Sequence, residues 1–164
     1  MLEGIHKIHL IGIGGSGMRA IANILIQKGY EVSGSDVKES DVIERFRKMG
    51  ATVHIGHNAD YVQGVDAVVR STAIREDNPE IVAAKEQGIT ILHRSDIVKA
   101  VLDVTNGIAV AGAHGKTSTT SMIGQILVEG QMEPTVIIGG EVDYLKGSSC
   151  LGKGEYSVEI GRAS

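Results

Sequence analysis

Aromatic residues and cysteines are scarce in this 164-residue chain. It has four Tyr, one Phe and no Trp, and they are not interleaved with basic residues, so the stacking platforms of single-strand nucleic-acid binders are absent. The single cysteine, Cys150, excludes an internal disulfide and fits a reducing compartment. The amino-terminal residues do not resemble a signal peptide, and no apolar run approaches the ~20 residues that span a membrane. These absences predict a cytoplasmic protein.

An excess of positive charge is missing too. The chain has 16 Lys and Arg residues against 20 Asp and Glu residues, and its net charge of −4 is spread without blocks. This distribution argues against DNA or RNA as a partner, and the lack of a membrane-spanning apolar run argues against a membrane as one. The hydrophobic content of 42% is enough for a sizeable core. The length suits one domain plus part of a second, and the oligomeric state stays open.

One glycine-framed loop lies between a short apolar run and a helix-like segment, within residues 107–120. Its glycines let the backbone approach an anion, while Lys116 offers a compact positive charge and Thr117 a hydroxyl suited to Mg²⁺. Val110 stands where the general P-loop pattern has Gly, so the loop is a shorter Gly-x-x-Gly-Lys-Thr. The alternative is a glycine-rich turn with a chance Lys-Thr pair. The predicted nucleotide-phosphate residues are Gly112, Ala113, His114, Gly115, Lys116, Thr117 and Ser118.

A second glycine pattern, Gly12-x-Gly14-x-x-Gly17, follows an apolar run near the start of the chain and leads into helical spacing. The next strand-like segment ends at Asp36, where a dinucleotide-binding protein places the acid that holds a ribose 2′-OH. Taken alone this indicates NAD, but the same turn can hold any diphosphate, including that of a nucleotide sugar. Two further alternatives stay open: that the glycines serve only helix–sheet packing, and that Asp36 is a solvated strand-end acid.

Strands and helices alternate with short loops over residues 1–104, which predicts a Rossmann-like, doubly wound parallel sheet. In this sheet the segment Ser71–Ile74 leaves the carboxyl end of a strand, where open α/β sheets bind ligands. Residues 103–106 are then a short linker, and residues 105–164 are the beginning of a P-loop α/β domain. Its strand at Thr135–Ile138 is expected to end in a Gly139-Gly140 loop.

Both glycine loops resemble those of the Mur ligases, which build the peptide stem of bacterial peptidoglycan. The segment Gly112–Thr117, with His114 before the Gly-Lys pair, is similar to the ATP loop of this family. Ala113 departs from the Thr that family members usually carry. Gly12–Met18 and the later Gly34–Asp36 resemble the UDP-binding domain of the alanine-adding members rather than that of the recycling ligases.

This resemblance implies an ATP-dependent ligase that joins L-alanine to the lactyl carboxylate of UDP-N-acetylmuramate through an acyl phosphate. ATP and Mg²⁺ are the implied cofactors, with Lys116 as the catalytic residue and Thr117 as a metal ligand; NAD is not implied. The implied substrate-binding residues are Gly12, Gly14, Gly15, Ser16, Gly17, Met18, Asp36, Ser71, Thr72, Ala73, Ile74, Arg94, Gly139 and Gly140. The rival interpretations are a stand-alone nucleotide- or UDP-sugar-binding module and an NAD-binding Rossmann protein.

The resemblance covers residues 5–156, roughly the first third of a typical family member. Family members continue into an acidic cluster that helps bind catalytic Mg²⁺, whereas this chain reads Val158–Ser164 and ends. Glu159 is offset by one position from the first acid of that cluster, and a one-residue slip on a strand turns a side chain to the other face. We therefore expect a truncated gene product that binds UDP-sugar without catalysis, and we assign no metal role to Glu159.

Overall fold

The computed structural model describes residues 2–103, 105–145 and 147–160. They form two compact units, an amino-terminal unit of residues 2–97 and a carboxyl-terminal unit from residue 98 onward. The predicted domain boundary at residue 104 stays a prediction, since Val104 lies outside the described residues. The end of the expected truncated tail, residues 161–164, lies outside them as well.

The amino-terminal unit is a doubly wound parallel sheet, as the alternating pattern predicts. The sheet has the strand order β3-β2-β1-β4-β5, and every neighbouring pair is parallel. A short 3₁₀ helix, Ala59–Val62, precedes β4 and has no counterpart in the sequence prediction. The strands are β1 (Lys7–Ile11), β2 (Glu31–Asp36), β3 (Thr52–Ile55), β4 (Ala67–Arg70) and β5 (Thr90–His93), and the helices are α1 (Ser16–Gln27), α2 (Asp41–Lys48) and α3 (Pro79–Glu86). A fourth helix, α4 (Arg94–Leu102), begins in this unit and continues past residue 97.

Two of these helices start where the sequence offers a side-chain cap. The Ser40 hydroxyl accepts a hydrogen bond from the backbone N–H of Ile43 at the start of α2. The Asn78 side chain accepts one from Glu80 N–H at 2.9 Å, and Pro79 occupies the first helical position of α3. Local chemistry thus defines the starts of α2 and α3.

The core of this unit is apolar except for a few buried polar residues. Along β1, Ile8, Leu10 and Ile11 are fully buried, as expected of a strand in a parallel sheet covered on both faces. His9 lies between them and is fully buried as well. Polar groups that are buried need hydrogen-bond partners, so His9 implies a polar network inside the core.

The carboxyl-terminal unit is a four-stranded sheet with the order β6-β9-β7-β8. Strands β6, β9 and β7 run parallel, while β8 pairs antiparallel with β7. A short 3₁₀ helix, Asp143–Leu145, lies between β7 and β8. The bounds are β6 (Asn106–Val110), α5 (Lys116–Glu129), β7 (Thr135–Val142), β8 (Gly147–Cys150) and β9 (Tyr156–Ile160). The strand–loop–helix at the start of this unit agrees with the predicted P-loop α/β arrangement.

The prediction of a loop at Gly139-Gly140 is wrong. Both glycines lie within β7, which continues to Val142. The antiparallel partner β8, which the sequence reasoning missed, pairs Ile137 with Ser149 and Val142 with Gly147. Gly139 and Gly140 lie between these pairs, where the register of β7 against β8 shifts, an irregularity of the kind at which glycine is common within strands.

No helix among residues 2–103, 105–145 and 147–160 has the length and hydrophobicity to cross a membrane.

Candidate functional site

The loop between β1 and α1 is held in shape by the end of β2. The carbonyl oxygen of Ser35 accepts hydrogen bonds from the backbone N–H of Gly12 at 2.8 Å and of Ile13 at 3.0 Å. Gly12 has a φ of +73°, a conformation that favours glycine. Gly15 N–H then donates to the Gly12 carbonyl at 3.0 Å and closes the turn. The glycine pattern is therefore a tight turn that leads directly into the first turn of α1.

Asp36 acts on this loop directly. Its Oδ2 accepts a hydrogen bond from Gly14 N–H and its Oδ1 accepts one from Val37 N–H, both at 2.8 Å. A Cβ atom placed on Gly14 would lie 2.9 Å from Asp36 Oδ2, so only glycine permits this approach. Asp36 is half-buried and is thus not merely a solvated acid. Its predicted contact with a ligand stays a prediction.

The topology of the sheet indicates the edge at which a ligand is expected to bind. Strands β1 and β4 are neighbours, and the strand order reverses between them, which creates the crevice where open α/β sheets bind ligands. The Gly12–Gly17 loop follows β1, and the Ser71–Ile74 segment follows β4. A Cβ atom on Gly12 would lie 3.5 Å from Ile74 Cδ1, so the two segments are in contact.

The Ser71–Ile74 segment forms its own turn. Ser71 Oγ accepts a hydrogen bond from Ala73 N–H at 3.3 Å, and the Ser71 carbonyl accepts one from Ile74 N–H at 3.2 Å. Thr72 and Ala73 are exposed, while Ile74 packs on the core. The exposed part of the turn is available to a ligand.

The Arg94 side chain, from the start of α4, packs against the first turn of α1. A Cβ atom on Gly17 would be 3.0 Å from Cδ and 3.0 Å from Nη1 of Arg94, whose side chain is half-buried. The amino terminus of a helix carries partial positive charge, and a guanidinium placed there is repelled unless an anion binds between them. Arg19, which the sequence reasoning missed, adds a second cation by donating from Nε to the Gly14 carbonyl at 2.7 Å. This arrangement favours an anionic ligand.

Other predicted residues of this loop have different environments. Gly15 is the N-cap of α1, and Ser16, the first residue of the helix, is exposed. The Met18 side chain is only 3% exposed and belongs to the core, so only its backbone lies near the loop. Ser16 and Gly15 are therefore the accessible members of the predicted set at the start of the helix.

The helices after the two glycine loops differ from α2 and α3 in how they begin. Gly15 caps α1 and Gly115 caps α5, and neither makes a side-chain capping hydrogen bond. The first N–H groups of a helix need partners, which side chains, water or a bound anion supply. Leaving them without a side-chain cap is what a phosphate site at a helix start requires.

The second loop has the shape of a phosphate cradle. Gly115 has a φ of +76°, and Lys116 Nζ turns back to donate to the Gly112 carbonyl at 2.6 Å. His114, Thr117 and Ser118 are exposed, as is Ala113. The residues fit a nucleoside triphosphate, because the cation, the open helix start and the Thr117 hydroxyl lie on one short segment.

The fit for Mg²⁺ rests on Thr117 alone. No group of three or more His, Cys, Asp or Glu side chains suited to a metal occurs within the part of the chain that the structure describes. Glu159 lies on β9, where it pairs with Ala109 of β6 and Ile137 of β7. Gly139 and Gly140 remain predicted substrate residues, but they lie in β7 rather than in a loop.

A family model described as the Mur ligase family, catalytic domain, matches residues 7–105. The chain belongs to the Mur ligase family. The resemblance drawn from the two glycine loops is thereby confirmed.

Proteins similar to this chain are named as ligases of this family. A UDP-N-acetylmuramate–L-alanine ligase of Sulfurihydrogenibium sp. (strain YO3AOP1) is 47% identical over 154 residues, which are 94% of this chain and 34% of that protein. A crystal structure of UDP-N-acetylmuramate-alanine ligase from Thermotoga maritima matches with a TM-score of 0.87 and 36% identity, covering 93% of this chain and 36% of that one.

A murein peptide ligase from Psychrobacter arcticus 273-4 matches with a TM-score of 0.86 and 27% identity, covering 98% of this chain and 38% of that one. The chain therefore spans about a third of the length of the relatives that it matches.

Proposed function

We propose that this chain is the amino-terminal part of an ATP-dependent ligase that joins L-alanine to UDP-N-acetylmuramate. In this proposal the loop Gly12–Gly17 binds the diphosphate of the UDP-sugar, and Ser71–Ile74 lies along the same ligand. The loop Gly112–Ser118 binds the phosphates of ATP. The chain by itself binds the nucleotide sugar and does not catalyse.

The observation that carries this proposal is the packing of the Arg94 side chain against the first turn of α1. A helix start without a side-chain cap, a turn of glycines and a guanidinium together present N–H donors and a positive charge to one point. A diphosphate supplies the two negative groups that such a point accommodates. Each oxygen of Asp36 accepts one backbone N–H group, so the acid shapes the loop and keeps acceptor sites for a ligand hydroxyl.

In the longer ligase, ATP would phosphorylate the substrate carboxylate, and the amine of L-alanine would displace the phosphate. Lys116 would neutralise charge on the phosphoryl group during transfer, which is catalysis by electrostatics and positioning. Thr117 would contribute one oxygen to Mg²⁺. The chain's own contribution is to hold and orient the two sets of phosphates.

Thermal unfolding with separate ligands tests the proposal. A ligand that binds only the folded state raises apparent stability by RT ln(1 + [L]/Kd), which is about 2.7 kcal/mol at a hundred times Kd. We expect UDP-N-acetylmuramate and UDP to raise Tm and NAD to leave it unchanged. A rise with NAD and none with UDP would support the NAD-binding Rossmann alternative and overturn the proposal.

One variant tests whether the two glycine loops bind different ligands. Lys116→Ala removes the cation of the second loop and should abolish whatever response ATP·Mg²⁺ or phosphate produces. The response to UDP should stay within experimental error of the wild type, because Lys116 belongs to the carboxyl-terminal unit. Equal loss of both responses would mean that the two ligands do not use separate loops.

A further inference from the structure

A single buried carboxylate accepts hydrogen bonds from four donors in the amino-terminal unit. Glu80, near the start of α3, is 0% exposed. Its Oε2 accepts from His9 Nε2 at 2.9 Å and from Ser35 Oγ at 2.7 Å. Its Oε1 accepts from His57 Nδ1 at 2.9 Å and from Asn58 N–H at 3.3 Å. A fully buried glutamate is rare, and this one joins α3 to β1, to β2 and to the segment after β3.

This network is connected to the glycine loop through one residue. Ser35 donates its hydroxyl to Glu80, and its carbonyl oxygen accepts the N–H groups of Gly12 and Ile13. Ser35 is itself fully buried. The position of the turn therefore depends on a residue whose side chain is anchored by Glu80.

Stability alone does not account for a buried carboxylate here. Replacing buried charged groups by apolar residues of similar volume is often neutral or stabilising. A fully satisfied polar network instead restricts its members to one arrangement. What Glu80 adds is a defined geometry for the end of β2, where the loop is held.

We propose that Glu80 is a positioning residue of the glycine-loop site. It fixes Ser35, and Ser35 in turn fixes Gly12 and Ile13 so that the loop is preorganised before a diphosphate arrives. The inference rests on the proposed function insofar as the ligand is the diphosphate of a UDP-sugar. Glu80 touches no ligand in this proposal and acts only through Ser35.

The isosteric variant Glu80→Gln removes the acceptor that Ser35 uses. All four neighbours of Glu80 present donors, and the backbone N–H of Asn58 cannot reverse its role. The amide oxygen of glutamine must then face Asn58 and His57, which turns the amide N–H₂ toward His9 and Ser35. The Ser35 hydroxyl loses its carboxylate acceptor and is left 3.2 Å from His57 Nδ1, which in this arrangement donates to the glutamine oxygen. His9 Nε2 changes from donor to acceptor.

The experiment uses the full chain and reads the loop amide by amide. In Glu80→Gln, hydrogen exchange at the amides of Gly12 and Ile13 should accelerate about tenfold more than exchange at the β4 amides of Val68 and Val69. The ¹⁵N signals of His9 should report the change of tautomer. Glu86→Gln is the matched control, because Glu86 ends the same helix and is exposed.

Binding of UDP, measured by titration calorimetry, gives the second readout. We expect Kd for UDP to rise about tenfold in Glu80→Gln and to stay unchanged in Glu86→Gln. If the wild-type chain does not bind UDP, the proposed function fails, but the exchange of Gly12 and Ile13 still tests the positioning of the loop. Equal acceleration of exchange in the loop and in β4 would overturn the inference, since it would show only a loss of global stability.

Ser35→Ala keeps the test decisive if Glu80→Gln does not fold. This variant removes one hydroxyl and leaves Glu80 with His9, His57 and Asn58. Faster exchange at Gly12 and Ile13 in Ser35→Ala supports the inference. Unchanged exchange there, or failure of both variants to fold, means that the network serves the core and not the loop.

Discussion

At the scale of single residues, the site is defined by two arginine side chains near the amino terminus of α1. Arg94 contacts the first turn of α1, and Arg19 bonds the loop carbonyl of Gly14. Because like charges are brought together, the amino-terminal unit pays a small electrostatic cost that a bound anion would remove. This makes Arg94 the most informative single position.

Replacing Arg94 by Ala should weaken UDP binding by roughly 10- to 100-fold, because hydrogen bonds to charged groups contribute roughly 1.5–3 kcal/mol. Arg94→Lys should be intermediate, since an ammonium keeps the charge but not the planar pair of donors. Calorimetric titration of each variant with UDP measures the effect.

Uridine is the control ligand for Arg94. It lacks the phosphates, so its affinity should be the same in the wild type and in Arg94→Ala. A parallel loss of uridine and UDP affinity would show that Arg94 supports the fold of the site rather than the diphosphate.

At the scale of elements, Glu80 ties α3 to the sheet and makes stability depend on pH. Burial by itself raises the pKa of Glu80, but hydrogen bonds from His9, Ser35 and His57 outweigh it, and the net pKa lies below its ordinary value of 4.5. In the unfolded chain the carboxyl returns to that ordinary value. The stabilisation is therefore complete above pH 4.5 and is lost as the pH falls through the lowered pKa of the folded state.

We expect the free energy of unfolding of the wild type to fall as the pH is lowered from about 5, and to fall less steeply in Glu80→Gln. At pH 7 the variant should be roughly 1–3 kcal/mol less stable, because buried donors lose their acceptor. Urea unfolding across pH 3–7 measures both effects.

The difference between the wild type and Glu80→Gln in the pH dependence of the free energy of unfolding gives the contribution of Glu80. Asp66 and Glu76 also have lowered pKa values, through backbone hydrogen bonds from Lys7 and His6 in the first case and pairing with Lys85 and Arg70 in the second. They contribute equally to both curves. Identical slopes in the wild type and in Glu80→Gln would show that protonation of Glu80 is not coupled to unfolding.

At the scale of the whole molecule, we expect no alanine-ligase activity from this chain alone. Lys116 and Thr117 supply a cation and a hydroxyl, but no cluster of carboxylates suited to a metal occurs within residues 2–103, 105–145 and 147–160. The chain also spans about a third of its relatives' length. Amide-bond formation needs a metal ligand, an acceptor amine brought within reach and exclusion of water.

Phosphate release from ATP in the presence of UDP-N-acetylmuramate and L-alanine is the measurement, with a full-length relative as the reference. The expected rate for this chain equals the background without L-alanine. Alanine-dependent turnover near that of the full-length relative would refute the prediction and favour a different set of catalytic residues.

The sequence by itself predicted the parts of the molecule whose causes are local. Alternating apolar runs and glycine stops specified the five parallel strands of the first sheet, and Asn78-Pro79 marked the start of α3. Both glycine loops were predicted between a strand and a helix, and Gly12 and Gly115 in these loops have positive φ. These features depend on the conformational preferences of neighbouring residues, which a sequence displays directly.

Tertiary structure alone decided which distant residues meet. The contact of Arg94 with Gly17 follows from the order of β1, β4 and β5, which no spacing in the sequence encodes. Gly139 lies within β7, between the residues that pair with β8, where composition favoured a turn. The local sequence does not distinguish Glu80 from an ordinary first-turn acid of α3, and only its burial against His9 and Ser35 gives it a role. Long-range contacts arise from packing of whole elements, and a local pattern does not contain that information.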